Sequence, residues 1–313
     1  MAYVITGATG HIGNNLVRML VSNNEEVRVI VRKIDESLEN LPIEFIIGNF
    51  YEEETLEKAI KEGDVLIHLA GYIDLKNNKK KETFFINYES IKGLAEFAYR
   101  KKVKKFVYSS SVDAIYKEKK VPIYEKDYLD TSKLKSNYSL SKALGTNYLI
   151  DFKKDHPDFN MAIFYPSGCV GINDYKPSAI GKVIKDVIKG KMEFGVSGGY
   201  SFVDVRDVSQ GIIEICKRDK QGSYIFSGEI VSIMELYTMI NRVLGIKRIK
   251  IKVPLCIVKL SIPFVPYLSK FALKTINDNC DYRSDKAIKD LDFTARPFIE
   301  TIEDTVEWFK KRV

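Results

Sequence analysis

The sequence predicts an α/β protein, a doubly wound parallel sheet with a smaller C-terminal region, and three observations predict it. The run Tyr3-Val4-Ile5 leads into Thr6-Gly7-Ala8-Thr9-Gly10-His11-Ile12-Gly13, which reads as strand, glycine turn and helix start. Ile12, Leu16 and Leu20 recur at four-residue spacing with Val17 and Val21 beside them, and Glu26 to Val31 is a second strand, so a βαβ unit is complete. Beyond it, apolar strands keep alternating with amphipathic helices, the pattern of a parallel sheet covered on both faces.

In the first unit each glycine has a mechanical task. Gly7 makes the tight turn, Gly10 lets the backbone approach a pyrophosphate, and Gly13 lets the helix pack close to the strand. The helix N-terminus then faces the phosphates of a dinucleotide. A glycine-rich turn can also close a strand-to-helix connection without binding anything. The βαβ context favours the dinucleotide site.

The second strand ends in Val31-Arg32-Lys33, roughly 20 residues past the glycine turn, where an NAD site carries an acid for the ribose 2′-hydroxyl. Arg32 stands there instead. With Lys33 beside it, this arginine is suited to a 2′-phosphate, so NADP is the expected cofactor, with NAD possible. The bland alternative is a surface arginine, and Asp35 is the residue that would overturn the expectation. A third strand, Ile43 to Ile47, leads to Gly48-Asn49-Phe50, then an acidic helix from Glu52 to Lys61 and a fourth strand from Asp64 to Leu69 ending in Ala70-Gly71. Ligands of such sheets lie at the carboxyl ends of the strands, which places Asn49 by an adenine and Ala70-Gly71 under a cofactor backbone. Gly48 and Gly71 are equally plausible as plain turn residues.

A long helix is predicted from about Lys81 to Arg100, burying Phe84, Tyr88, Ile91, Leu94, Ala95 and Ala98. Asn87 interrupts that face, either as a core amide satisfied by backbone groups or as a polar group orienting the site. The next strand, Phe106-Val107-Tyr108, ends in Ser109-Ser110-Ser111, and further on comes Tyr138-Ser139-Leu140-Ser141-Lys142. Tyrosine and lysine at i and i+4 share a helix face. An ammonium beside a phenol lowers its pKa, so Tyr138 could exchange a proton near neutral pH while a strand-end serine holds the substrate oxygen. By itself the Tyr/Lys spacing arises by chance in a chain with 18 tyrosines. After a serine triplet on the fifth strand it gains weight.

Composition narrows the partners. With 45% hydrophobic and 29% charged residues the chain is that of an ordinary soluble globular protein. Its 49 Lys and Arg against 42 Asp and Glu leave +7, but the excess sits in short clusters such as Lys79-Lys80-Lys81 and Lys101 to Lys105 that suit solvated helix ends, so no nucleic acid is expected. The four cysteines, Cys169, Cys216, Cys256 and Cys280, lie too far apart to form a metal-spaced or paired pattern, which fits a reduced cytoplasmic protein without a metal. No signal peptide is expected ahead of so early a first strand. The apolar stretch from Val253 to Leu273 is broken by Lys259, Pro263, Pro266 and Lys270, so no membrane span is expected. Within it, Val253 to Ile257 and Ile262 to Leu268 are apolar enough to line a lipophilic pocket and equally suited to plain packing.

Taken together, the sequence resembles the extended short-chain dehydrogenase/reductases, also called the NAD-dependent epimerase/dehydratase family. The resemblance covers nearly the whole chain. It is carried by T-G-A-T-G-H-I-G at 6–13, N-Y-E-S-I-K-G at 87–93, V-Y-S-S-S-V at 107–112, Y-S-L-S-K at 138–142, Y-P-S-G-C-V-G at 165–171 and F-V-D-V-R-D-V at 202–208. It implies a Rossmann-type cofactor domain over residues 1–170 and a substrate-binding region over 171–313, with segments of about 200–230 returning to the core. Ser111, Tyr138 and Lys142 are implied as the catalytic set: Tyr138 the acid/base, Lys142 the ribose partner and Ser111 the substrate-oxygen donor. The implied cofactor residues are Gly7, Thr9, Gly10, His11, Ile12, Gly13, Arg32, Asn49, Phe50, Leu69, Ala70, Gly71, Asn87, Ser109, Tyr138, Lys142, Tyr165, Pro166 and Ser167. The chain departs from the family at Asn49, where an aspartate is usual, and at Thr146, where a glutamate often follows the lysine.

The resemblance also implies a homodimer through the helices at Lys81–Arg100 and Tyr138–Lys153, with Tyr99, Leu149 and Phe152 as candidates for the outer face. Among activities, NADP-dependent reduction of an aldehyde or ketone, as in the dihydroflavonol-reductase and hydroxysteroid-dehydrogenase branch, is favoured. Gly198-Gly199-Tyr200-Ser201 stands where nucleotide-sugar enzymes commonly place a diphosphate-binding arginine. A nucleotide-sugar epimerase or dehydratase is the alternative, and a non-catalytic cofactor sensor or scaffold the second.

Overall fold

The computed structural model describes residues 1–74, 76–191, 194–247, 251–253 and 270–312. Its elements begin with β1 (Tyr3–Thr6), α1 (His11–Ser22), β2 (Val27–Val31), β3 (Glu44–Ile47), α2 (Glu53–Ala59) and β4 (Val65–His68). They continue with α3 (Lys80–Phe84), α4 (Ser90–Arg100), β5 (Lys105–Ser109), α5 (Asn137–Asp155), β6 (Met161–Pro166) and β7 (Gly168–Val170). The later part holds α6 (Ala179–Ile188), β8 (Phe194–Val196), β9 (Gly199–Asp204), α7 (Val205–Lys217), β10 (Gly222–Phe226), β11 (Glu229–Ser232) and α8 (Ile233–Val243). After β12 (Ile251–Val253) come α9 (Lys270–Thr275), α10 (Asp285–Leu291) and α11 (Phe298–Lys310).

Seven strands form one sheet in the order β10-β6-β5-β4-β1-β2-β3, with every neighbouring pair parallel. Parallel strands need crossover connections, and helices on both faces leave the inner strands β1, β2, β4 and β5 buried on both sides, while the edge strand β3 stays partly exposed. Alternate residues accordingly enter two cores. Val4, Leu66, Phe106 and Tyr108 join the core that contains Ile91, Leu94 and Leu149, whereas Ile5, Ile67 and Val107 join Leu16, Val17 and Leu20 of α1. This is the Rossmann-type doubly wound arrangement. Each fully enclosed side chain of the α1 stripe contributes about 1.5–3 kcal/mol over its exposed state. The Phe202–Val208 stretch divides between β9 and α7, and β10 closes the sheet beside β6. Outside the large sheet, β9 pairs with β7 and β11, and β12 with β8.

Two expectations are corrected here. The predicted helix over Lys81–Arg100 is interrupted at Phe85–Glu89 by a π turn, which adds a residue to one turn and rotates the faces on either side of it. Thr83, Asn87 and Ser90 are therefore buried while Phe84 and Tyr88 are half-exposed. Leu149 and Phe152, expected on an outer face, belong to the protein's own core. Tyr99 is half-buried with its ring against those of Phe152, His156 and Phe159. The outward side of α5 instead carries Leu140, Leu144 and Tyr148, half-exposed at four-residue spacing. Of the apolar segments considered for a pocket, all but Val253 lies outside the described residues. Among the described residues no helix is long and apolar enough to cross a membrane.

Candidate functional site

The strand order reverses between β1 and β4, and the carboxyl ends of those two strands form the floor of the site. Gly7 turns there at φ +75°, and a Cβ on it would stand 2.5 Å from the Ala70 nitrogen, so only glycine permits the approach. Gly13 is equally constrained, since its Cβ would meet the Gly7 oxygen at 2.3 Å. These contacts seat α1 directly behind the turn. Its N-cap is Gly10, with no capping side chain and no acidic residue in the first turn. The first amides of a helix have no partner within it, so this end offers donors and a positive dipole to an anion. Thr9 and Ile12 flank that end half-exposed, while His11 is engaged structurally, its Nε2 3.0 Å from the Ile172 carbonyl oxygen.

Arg32 lies exposed past β2. Asp35 is taken elsewhere: its carboxylate accepts from Ser37 and pairs with Lys176 at 2.8 Å. Burial opposes the charge, but the bonds from Lys176 and Ser37 hold the Asp35 carboxyl down to about 2. Asn49 follows β3 and donates from Nδ2 to Glu52 at 2.5 Å. Phe50 is a core residue whose ring meets the edge of His68 at 4.7 Å, which leaves its backbone as the part that can face a ligand. Leu69 and Ala70 are half-exposed, and Gly71 is exposed.

Asn87 is a core amide satisfied largely by backbone groups. Its amide accepts from the Tyr72 N–H at 2.8 Å and donates to the Tyr72 carbonyl at 2.9 Å and to Ser141 at 3.1 Å. The π turn aims this fully buried side chain at the loop after β4, tying it to α5.

The serine triplet at the end of β5 divides its work. The Ser109 carbonyl accepts from the Lys142 ammonium at 2.8 Å, and the Ser110 hydroxyl meets Thr146 at 2.7 Å. Ser111 Oγ receives the Asp113 N–H at 3.1 Å, and the Ser111 hydroxyl acts on the Tyr138 phenol, easing its ionisation. Thr146, at a position where a glutamate was the usual expectation, thus clamps the strand end to α5 and accounts for its own presence there.

Helix α5 brings Tyr138 and Lys142 to this strand end. It starts at Ser136, whose side chain accepts from the Ser139 N–H at 3.0 Å. The spacing predicted a lowered phenol, and the structure differs. Burial is the larger influence and holds the Tyr138 phenol up, the Ser111 bond opposing it and the Asp113 charge adding to it. Burial likewise brings the Lys142 ammonium down to about 7, and it rests on the Ser109 carbonyl and 4.9 Å from the centre of the Tyr108 ring.

Past β6, Pro166 is half-exposed and the buried Ser167 hydroxyl has no partner among the described residues. Tyr165 is fully enclosed, so its side chain belongs to the core rather than to the cofactor side. The uncapped helix end, the closed glycine turn and the unpartnered Ser167 hydroxyl together fit a bound dinucleotide.

His68 was not singled out by the sequence reading. It is wholly buried at the end of β4, with Nδ1 2.7 Å from Thr6 Oγ1 and its ring parallel to that of Tyr108. Burial and the Lys142 charge keep it neutral. A lone strand histidine carries no spacing signal, and only the packing of β1, β4 and β5 reveals it.

A family model described as the NAD dependent epimerase/dehydratase family matches residues 3–229. Over 329 residues the chain is 25% identical to sterol demethylase protein B of Methylococcus capsulatus, covering 100% of this chain and 99% of that one. Vestitone reductase of Medicago sativa is 26% identical over 264 residues, 76% of this chain and 79% of that protein. In fold, the chain is similar to UDP-glucuronic acid 4-epimerase from Bacillus cereus in complex with NAD, at a TM-score of 0.79 and 19% identity, over 99% of this chain and 97% of that one.

Proposed function

The chain belongs to the NAD dependent epimerase/dehydratase family, a family of NAD-binding enzymes, and from that premise we propose that it is an NADP-dependent oxidoreductase. Its substrate is an aldehyde or ketone on an uncharged, fairly apolar molecule. The observation that carries the proposal is the meeting of Ser111, Tyr138 and Lys142 at the end of β5, beside a glycine turn suited to a dinucleotide.

NADPH, when bound, would supply the hydride. Gly7, Gly10 and Gly13, with the amides at the start of α1, hold its pyrophosphate, and Arg32 holds the 2′-phosphate. Asp35 does not compete for the ribose, because Lys176 and Ser37 occupy it. Ser111 orients the substrate oxygen, Tyr138 gives that oxygen a proton, and Lys142 serves the ribose and supports the phenol. Residues 1–170 are assigned to the cofactor and 171–313 to the substrate, with about 200–230 shared. The working unit is a homodimer.

The reductase branch is supported by the place of Lys176. This lysine, one of two near Gly171 that could serve a diphosphate, is directed to Asp35 beside the glycine-turn helix. The names of the sterol demethylase and vestitone reductase relatives also point to apolar substrates. A nucleotide-sugar epimerase remains the second reading, favoured by the likeness of fold to the UDP-glucuronic acid epimerase.

The test offers NADPH with apolar aldehydes and ketones, and UDP-, GDP- and dTDP-sugars in parallel. Carbonyl-dependent NADPH oxidation is expected, falling at least about 100-fold in Tyr138→Phe with cofactor binding intact. Epimerised or dehydrated sugar without net cofactor oxidation would place the enzyme in the other branch. Fluorescence titration should show NADPH binding more tightly than NADH, and Arg32→Ala should abolish the preference.

A further inference from the structure

The loop after β5 contains a charge pair that the Ser111, Tyr138 and Lys142 chemistry does not use. Lys117 and Asp113 meet at 2.7 Å, with their side chains only 8% and 15% exposed. The Tyr200 hydroxyl of β9 donates to the same carboxylate at 3.2 Å. The Lys117 ammonium also lies 5.7 Å from the Tyr200 ring centre and 5.5 Å from that of Tyr282. Enclosing an ion pair usually costs as much as the attraction returns, so packing alone gives no reason for it.

Its position supplies one. The Asp113 N–H donates to Ser111 Oγ at 3.1 Å, and the Asp113 carboxylate acts on the Tyr138 phenol, making it harder to ionise. The other titratable groups acting with the phenol are Tyr108 of β5 and Cys169 of β7, and Lys142 lies over the Tyr108 ring. Around Lys117 stand Tyr200 of β9, and Tyr282 and Cys280 of the segment before α10. Burial pushes all of these tyrosines and cysteines up, so they are neutral at physiological pH. Asp204 and Asp174, which face Cys169 from behind, are engaged by Arg206 and by Ser178. Asp113 is therefore the anion acting on the phenol, and Lys117 is its counter-ion.

Resting on the oxidoreductase reading, we propose that Lys117 is a positioning residue for the reaction. By clamping Asp113 against Tyr200 it keeps the Asp113 amide on Ser111 and supplies the counter-ion of the Asp113 carboxylate. The clamp also joins the loop after β5 to β9 and to the Tyr282 segment.

The experiment is an NMR titration of protein carrying 13Cζ-tyrosine, with Tyr138 identified by the resonance lost in Tyr138→Phe. The parent is compared with Lys117→Met, Lys117→Arg and Asp113→Asn. Tyr138 should ionise in Asp113→Asn at least about one pH unit below its value in Lys117→Met, because one variant leaves the cation alone and the other the anion. Lys117→Arg should keep the parent behaviour, which a loss of packing would not explain. Coincident chemical-shift titration of Tyr138 in all four proteins, carried to the highest pH at which each stays folded, overturns the proposal. If Lys117→Met does not fold, earlier ionisation in Asp113→Asn than in the parent is the expected result, and equal ionisation overturns it. Since no turnover is needed, a failed carbonyl screen and a failed titration remain separate results.

Discussion

At the scale of single residues, Lys142 shows how the site's chemistry opposes stability. Burial brings its ammonium down to about 7, whereas an unfolded lysine titrates near 10.4. Between those values the unfolded chain binds a proton that the folded chain has released, so stability rises with pH across this window. Below it both states are charged, and the full penalty of enclosing the ammonium is present. Lys142→Met should therefore melt higher than the parent at about pH 6, by an amount on the order of a few kcal/mol. That advantage should shrink as pH approaches 10. Thermal denaturation across the range checks this, and an advantage independent of pH would assign the effect to packing instead.

At the scale of elements, the π turn at Phe85–Glu89 determines what the long helical stretch presents. Hydrophobic spacing was sufficient to predict a helix here, and the buried Ile91, Leu94, Ala95 and Ala98 agree with it. The extra residue within the turn has no counterpart in the apolar pattern, which is why Phe84 and Tyr88 were expected inside and are half-exposed. What holds the turn in place is tertiary, the three bonds from Asn87 to Tyr72 and Ser141. Asn87→Ala leaves the Tyr72 amide and carbonyl without those bonds, at a cost of about 1–3 kcal/mol. Chemical denaturation should show that loss, with dinucleotide affinity falling as the loop after β4 loosens. A variant as stable as the parent would mean that the loop finds other partners.

At the scale of the whole molecule, the sheet is covered on both faces, so a half-exposed apolar stripe on a covering helix requires another explanation. Leu140, Leu144 and Tyr148 form such a stripe on α5, and Tyr148 is bound by Glu96 of α4 at 3.1 Å. A second copy of the chain, pairing α4 and α5 across a twofold axis, would cover it. Light scattering at micromolar concentration should give a dimer for the parent. Leu144→Arg should give a monomer that keeps the fold, because the side chain is not enclosed within the protomer. A monomeric parent would remove the homodimer from the proposal.

The βαβ start, the strand and helix alternation, and the residue types gathered at the end of β5 were all legible in the sequence. Each of these is written in short-range pattern: a glycine spacing, a period of two or 3.6, a tyrosine and lysine one turn apart. Packing, and not pattern, sets which face of α5 is enclosed, pairs Asp35 with Lys176 and His68 with Thr6, and brings Lys117 and Asp113 to Tyr200 and Tyr282. The physical reason is separation along the chain. Local periodicity dictates how a segment folds, whereas partners distant in sequence are selected by how the finished layers pack.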